Sequence, residues 1–306
     1  MAVSSSSDLS KNAQQIIAGA MRLIGVLGKG ESIDSFDQAD VLEAFELMVK
    51  SWEADGVHLW TLSEATLFLT AGTASYSLPG SRAVSTFVET ALAADISSGV
   101  TACTVDSISG ISDGDVLGIQ IDSDTIHWTT VNGTPSGSTI NFDDATTAAA
   151  SEDAVVYAYT SSNLIVRPLK IVSVRRENAG TETEVPIISR DEYFRLTQKS
   201  NSSTITQVYY DPSRSTGVLY VWNPSDNVDD TLKFTYYRPI YDIDNVTNDA
   251  DFPQEWTETL KYNLAVRIAP EFGVEPSRIV LAMATDLYYK LLTWDNEDNS
   301  IYFQPE

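Results

Sequence analysis

From Ala83 to Val166 the chain contains no lysine or arginine, and no other feature narrows the possible folds as much. The stretch consists of short β-prone runs: Thr104-Val105, Val116 to Ile121, His127 to Val131, Thr139 to Phe142 and Val155 to Tyr159. Between them stand Asp113-Gly114, Asn132-Gly133 and Ser136-Gly137, residue pairs whose backbones favour tight turns. Runs this short cannot carry the three-and-four spacing of an amphipathic helix. The expectation is a small all-β module over residues 93–160.

The chain ends read differently. Ile16, Ala20, Leu23 and Leu27 recur at helical spacing after Asp8, a possible cap, with Gly28 and Gly30 as the stop. Leu42, Phe45, Val49 and Trp52 mark one face of a second helix capped by Ser35 or Asp37 and ended by Gly56. Leu59 to Leu78 reads as two strands around a turn at Gly72. Beyond the module, Leu169 to Val174 is a strand, and Ser189 with Glu192 forms a capping box. Ile205 to Tyr210, Val218 to Trp222 and Leu232 to Tyr237 suggest an antiparallel meander. A helix starting at Pro253 carries Trp256, Leu260, Leu264 and Ile268 on one face. Pro270 interrupts it and Gly273 can serve as its C′ residue. Pro276 fits the first turn of a last helix, with Ile279 or Val280, Met283, Leu287 and Leu291 as its stripe.

These elements predict an α+β chain. A helical bundle from both chain ends would enclose a central antiparallel β region, with the small all-β module inserted in it. The domain reading is a discontinuous core of residues 1–92 and 161–293, the module at 93–160, and an acidic, aromatic tail at 294–306.

Nineteen basic residues face 43 acidic ones, a formal charge of −24. Such a chain repels nucleic acid unless its cations gather on one face. Arg175-Arg176 and Arg190 with Arg195 are too few for a binding stripe. Gripping DNA is thus a poor expectation, whereas an acidic wall lets DNA pass without sticking. Cys103 is the single cysteine and reads as a small buried residue. Met1 to Ser7 lacks the basic and apolar regions of a secretory signal.

Catalytic patterns do not stand out. His58 and His127 are the two histidines, and no nucleophile elbow, Walker loop, dinucleotide fingerprint or H-E-x-x-H run occurs. Both histidines read as structural. No cofactor is expected. Glu53 and Asp55, beside Trp52 and Trp60, are the local carboxylates that a peptidoglycan hydrolase would need. Asp113 with Asp115, Asp122 with Asp124 and Asp242 with Asp244 resemble fragments of calcium loops but lack the Gly and Glu of an EF-hand. They read as turn formers, and a calcium- or carbohydrate-dependent host-binding module is the alternative.

Asp251-Phe252-Pro253-Gln254-Glu255-Trp256, then Leu260-Lys261-Tyr262-Asn263-Leu264-Ala265 and Ala269-Pro270-Glu271-Phe272-Gly273, resembles the closing segment of phage head-to-tail adaptor proteins. These are the packaged-DNA stabilisation or tail accessory factors of P22-like podoviruses, with tail tubular proteins as close cousins. Ser112 to Ile119 and His127 to Val131 are similar to a β insertion of some adaptors. The motif residues are Phe252, Pro253, Trp256, Tyr262, Asn263, Pro270 and Gly273. The resemblance implies a non-enzymatic virion protein at the head–tail junction, assembled in the host cytoplasm into a homo-dodecameric ring. Its implied partners are the portal protein, a tail hub or nozzle protein and a tail fibre or tailspike, with packaged DNA passing through and no membrane involved. Trp294, Tyr302 and Phe303 are the residues expected to reach the portal.

Overall fold

A computed structural model of the protein describes Leu9, residues 11–56 and residues 59–294, apart from the side chains of Leu59 and Trp294. The chain divides into two compact units: residues 1–61 with 239–306, and Leu62–Arg238. The sequence-based boundaries at 92/93 and 160/161 both fall inside the second unit. The tail reading over residues 294–306 lies outside the described residues, save for the backbone of Trp294.

The first unit holds helices α1 (Ala13–Leu23) and α2 (Ser35–Ala54) from one chain end. The start of α1 is set by Asn12, whose side chain accepts from Gln15 N at 3.0 Å, and not by Asp8, which lies outside the described residues. The amides of Ala13 and Gln14 donate to Asn248 O and Val246 O, so a distant loop satisfies donors that a helix start leaves open. The helix also stops earlier than expected. Gly25 takes φ +79°, Gly25 N donates to Arg22 O and Val26 N to Met21 O, the paired bonds of a Schellman end. On α2 the cap is Asp34, which accepts from Phe36 N at 2.9 Å, one residue before the expected Ser35. Its buried stripe is Val41, Ala44, Phe45, Met48, Val49 and Trp52.

From the other chain end, a 3-10 turn (Gln254–Trp256) leads into α4 (Thr257–Ile268), and α5 (Arg278–Trp294) follows. The label α3 belongs to Arg190–Arg195 in the second unit. The regular part of α4 ends at Ile268, capped by Ala269 before Pro270, and the turn beyond it closes at Gly273 (φ +65°), whose N donates to Pro270 O while Val274 N donates to Ala269 O, the Schellman pair expected of a C′ glycine. Ser277 Oγ accepts from Val280 N, so Pro276 precedes the cap of α5 and is not in its first turn. Val280 is buried while Ile279 is 75% exposed, which settles the choice between them. Tyr288, Leu291 and Leu292 complete the stripe, with Ala284 between. All four helices of this unit share one hydrophobic core, which contains Ile17, Phe45, Trp256 and Leu264.

The second unit is built from antiparallel sheets. The largest is ordered β11-β10-β14-β1-β3: β1 (Leu62–Phe68), β3 (Ala83–Val84), β10 (Lys170–Asn178), β11 (Thr181–Glu184) and β14 (Thr231–Tyr237). A second sheet is ordered β12-β13-β2: β2 (Ser75–Leu78), β12 (Gln207–Asp211) and β13 (Gly217–Trp222). Leu67, Phe234 and Tyr236 of the first sheet share a core with Leu78, Val208 and Leu219 of the second. Two expectations need correction here. The strands around Gly72 exist but part into different sheets, and β14 leaves the expected meander to pair with β1 and β10. Alternating burial fixes which face of each strand meets the shared core, and leaves open which strand lies beside it in the sheet.

The basic-free stretch is indeed all β. Strands β4 (Val88–Ala91), β9 (Val155–Tyr159), β6 (Val116–Ile121) and β7 (Thr125–Thr130) form one sheet in that order, and β5 (Ala102–Thr104) pairs with β8 (Thr139–Asn141). They enclose Leu92, Leu117, Ile119, Ile140 and Val156. Helices and several antiparallel sheets thus coexist, compatible with the α+β class.

Gly217 sits under the Tyr210 ring, whose Cε2 and Cζ would lie 2.6 Å from a Cβ there. The ring cannot retreat freely, because Tyr210 Oη donates to Pro168 O at 2.6 Å. Gly217→Ala is expected to destabilise the chain by about 1–3 kcal/mol through overpacking, measured as a lower urea midpoint with an unchanged m-value.

Candidate functional site: the closing segment of the helical unit

The closing segment, Asp251 to Gly273, folds into an aromatic knot. Trp256 is fully buried. Its ring lies 5.9 Å from Trp52 of α2, 5.3 Å from Trp60 and 5.7 Å from Phe252. Tyr288 of α5 closes the group at 5.1 Å from Trp52. Trp60 Nε1 donates to Asp251 O at 2.9 Å, which fixes the chain just before Phe252. Pro253 precedes the 3-10 turn and holds the extended entry (φ −56°). Asn263 is the polar counterpart of the knot. Its Nδ2 donates to Thr259 O (3.0 Å) within α4 and to Ala284 O (3.2 Å) across to α5. Tyr262 is half-buried, with Lys261 Nζ 5.0 Å over its ring. Every motif residue therefore acts on packing or chain direction, and none presents a reactive group.

The other singled-out residues take bland positions. Glu53 is held by Lys50 at 3.4 Å, and Lys50 also pairs with Asp242 (2.7 Å) and donates to Ile240 O (2.8 Å). Burial works against the lysine charge, but the hydrogen bond to Asp242 and the Glu53 and Asp242 carboxylates outweigh it and raise its pKa. Glu53 is thus tied in an ion-pair network, and Asp55 is an exposed C-cap. That arrangement lends no support to a two-carboxylate hydrolase. His127 is buried in β7, and its Nε2 faces Asp144 O at 3.0 Å. His58 lies outside the described residues, as do Tyr302, Phe303 and the Trp294 side chain.

The aspartates of the module build turns. Asp115 accepts from Ser112 N (2.8 Å) and Thr160 Oγ1 (2.9 Å), and Asp113 from Gly133 N (2.8 Å). Asp122 accepts from Ser151 N and Oγ, and Asp124 adopts φ +54°. Among the described residues no group of three or more His, Cys, Asp or Glu is placed to hold a metal ion. No described helix is long and apolar enough to cross a membrane.

One surface feature escaped the sequence reading. A groove of about 610 Å³ runs between α1 and the start of α4, lined by Lys11, Ile16, Gly19, Arg22, Leu23 and Lys261 among others. A Cβ on Gly19 would lie 2.8 Å from Lys261 Cδ, so the lysine stem crosses α1 at its one glycine. A glycine inside a helix costs stability, and that was the available signal. The helical unit also exposes Phe36 (80%), Leu47 (55%), Ile279 (75%) and Tyr289 (64%). Single apolar side chains on a surface are ordinary.

No family model matches the chain, and no curated protein matches it. Among solved structures, the Gp54 tailspike of Acinetobacter baumannii bacteriophage AP22, in complex with A. baumannii capsular saccharide, aligns at 21% identity with a TM-score of 0.22. The alignment covers 27% of this chain and 16% of the tailspike. At that TM-score the likeness carries no argument about fold or function.

Burial pushes the Cys103 thiol up to about 11. At pH 8 roughly a thousandth of it is thiolate, the reactive form. A thiol reagent is expected to leave the native chain unlabelled over minutes and to label it fully in urea; rapid native labelling would show that the module core opens.

Proposed function

We propose that the chain is a structural head-to-tail adaptor subunit of a short-tailed phage. In this reading the helical unit is a bundle assembled from both chain ends. It forms the body of a homo-dodecameric ring below the portal. The ring seals packaged DNA, forms part of its channel and attaches the tail hub and the fibres or spikes. The observation that carries the proposal is the closing segment, Phe252 to Gly273. Its residues resemble those of adaptor proteins, and in this chain they lock the two chain ends into one core. Apolar side chains left exposed on α2 and α5 give that body surface for neighbouring copies.

The charge supports the same reading. With a net −24, the chain offers DNA phosphates repulsion instead of grip, which suits a conduit. The conduit wall is assigned to the helical unit and the attachment of tail proteins to the β unit. Residues 294–306, with Trp294, Tyr302 and Phe303, are assigned to portal docking.

Native mass spectrometry of the purified chain, alone and mixed with its portal ring, tests the proposal. The expected result is a free chain that adds to the portal in one fixed high copy number. A chain that ignores every portal and tail component would overturn the adaptor reading. Deleting residues 294–306 is expected to abolish that addition while the circular dichroism spectrum keeps its helix and strand signals. Normal addition by the truncated chain would remove the tail from the docking surface.

A further inference from the structure

Asn132-Gly133 is the one Asn-Gly pair in the chain. Such a pair carries a reaction of its own. The Gly133 nitrogen gives up its proton to a solvent base and attacks Asn132 Cγ. A C–N bond forms, the Cγ–Nδ2 bond breaks, and Nδ2 takes a proton from water and leaves as ammonia. Water then opens the resulting succinimide to aspartate or isoaspartate. A carboxamide and a water are consumed, and a carboxylic acid and an ammonia are released. Glycine favours the attack, because it has no side chain to crowd the ring. Both residues are exposed, so water and base reach them.

The module engages both reacting groups in other bonds. Gly133, at φ +77°, donates its N–H to Asp113 Oδ1 at 2.8 Å. Asn132 Nδ2 donates to Asp143 Oδ1 at 2.6 Å. The backbone around them is tied as well. Asn132 N donates to Asn141 O at 2.8 Å, Val131 N to Asp115 O at 2.8 Å and Gly114 N to Val131 O at 3.0 Å. The attacking species is the amide without its proton. A carboxylate that accepts from the N–H favours the protonated form, and its charge repels the anion that the attack requires. Asp113 thus opposes the reaction twice. Asp143 acts on the other partner, since any rotation of the carboxamide costs a charge-assisted bond. Asp113 precedes β6, Asn132 follows β7 and Asp143 follows β8, so only the folded module brings the three together.

We propose that Asn132 is a latent deamidation site, shut in the folded module by Asp113 and Asp143 and exposed to reaction when the module opens. The product does not close again in the same way. An aspartate there sets an acceptor-only carboxylate where Nδ2 now donates to Asp143, and an isoaspartate adds a carbon to the backbone of the turn. One long opening therefore leaves a permanent chemical mark. The inference is independent of the adaptor reading, and its test needs this chain alone.

Full-length chains are incubated in mildly alkaline buffer. Mass spectrometry of the chymotryptic peptide Thr129 to Phe142 then follows the replacement of NH2 by OH at Asn132. The unaltered native chain should react about tenfold more slowly, or slower still, than the same chain in urea. Asp113→Ala should speed the native reaction by about tenfold or more, the factor set by one unit in the acidity of the amide. Asp113→Asn removes the charge but keeps an acceptor, and should speed it less; it carries the comparison if Asp113→Ala does not fold. Asp122→Ala is the control for general loosening. Asp122 likewise accepts from a backbone amide and a hydroxyl, those of Ser151, at the opposite end of β7. That variant should leave the rate at Asn132 unchanged, with circular dichroism confirming the fold. Equal native rates in the unaltered chain and both Asp113 variants would overturn the guard. Equal acceleration by Asp122→Ala would overturn it too, by reducing the effect to stability, and so would an Asp113→Ala acceleration that persists in urea.

Discussion

Everything in the helical unit depends on Trp256 meeting Trp52 and Trp60. The three rings bring a residue of the last third of the chain onto α2 and the turn that follows it. Phe252 and Tyr288 widen the contact. Each such aromatic pair adds about 0.5–1.5 kcal/mol beyond the apolar area it buries. The knot also explains how one unit can hold residues from both chain ends. Closing a loop costs entropy that grows only with the logarithm of its length, about 0.6 kcal/mol for each doubling. The long excursion from Leu62 to Arg238 is therefore affordable once a few large rings lock the ends.

The parts that could be read from sequence were those decided locally. Helix faces were legible because Phe45, Val49 and Trp52, or Leu260, Leu264 and Ile268, repeat at helical spacing and are buried together. The capping box of Ser189 and Glu192 was legible because both of its bonds lie within one turn. The all-β character of the basic-free stretch was legible from its turn residues. What escaped was decided at a distance. Asn12 caps α1 because the loop at 246–248 accepts the next amides, and nothing near Asn12 announces that loop. The parting of β1 from β2 and of β13 from β14 is a choice of hydrogen-bonded neighbours around one shared core, and alternation alone cannot make that choice. The groove went unnoticed because it needs Gly19 and Lys261 together. Of the candidate site, the closing motif is legible residue by residue, whereas the aromatic knot and the Asn263 bridge between two helices depend on Trp52, Trp60 and Ala284, which lie far from it in sequence.

The few cations are placed where they hold structure. Arg82 lies 4.2 Å over the Trp128 ring and donates to Tyr159 Oη at 3.0 Å, beside the Phe68 side chain. Arg176 and Asn178 both reach the buried carboxylate of Asp230. Arg175 and Lys233 share Glu182, and the Lys233 hydrogen bond, with help from the Arg175 charge, lowers that carboxyl's pKa. A chain of net charge −24 keeps its net repulsion toward phosphate while these bases do local work. The interior of the chain and its exterior thus use charge in opposite ways.

The pairing of Leu62 with Tyr237 means that the β unit begins and ends on adjacent strands. Within it, Val88 opposite Ala158 does the same for residues 88–158. The β unit thus enters and leaves the chain through one pair of neighbouring backbone positions, and residues 88–158 through another. Residues 88–158 still lean on the sheet that carries them, because Phe68 of β1 packs against Trp128, Tyr157 and Tyr159.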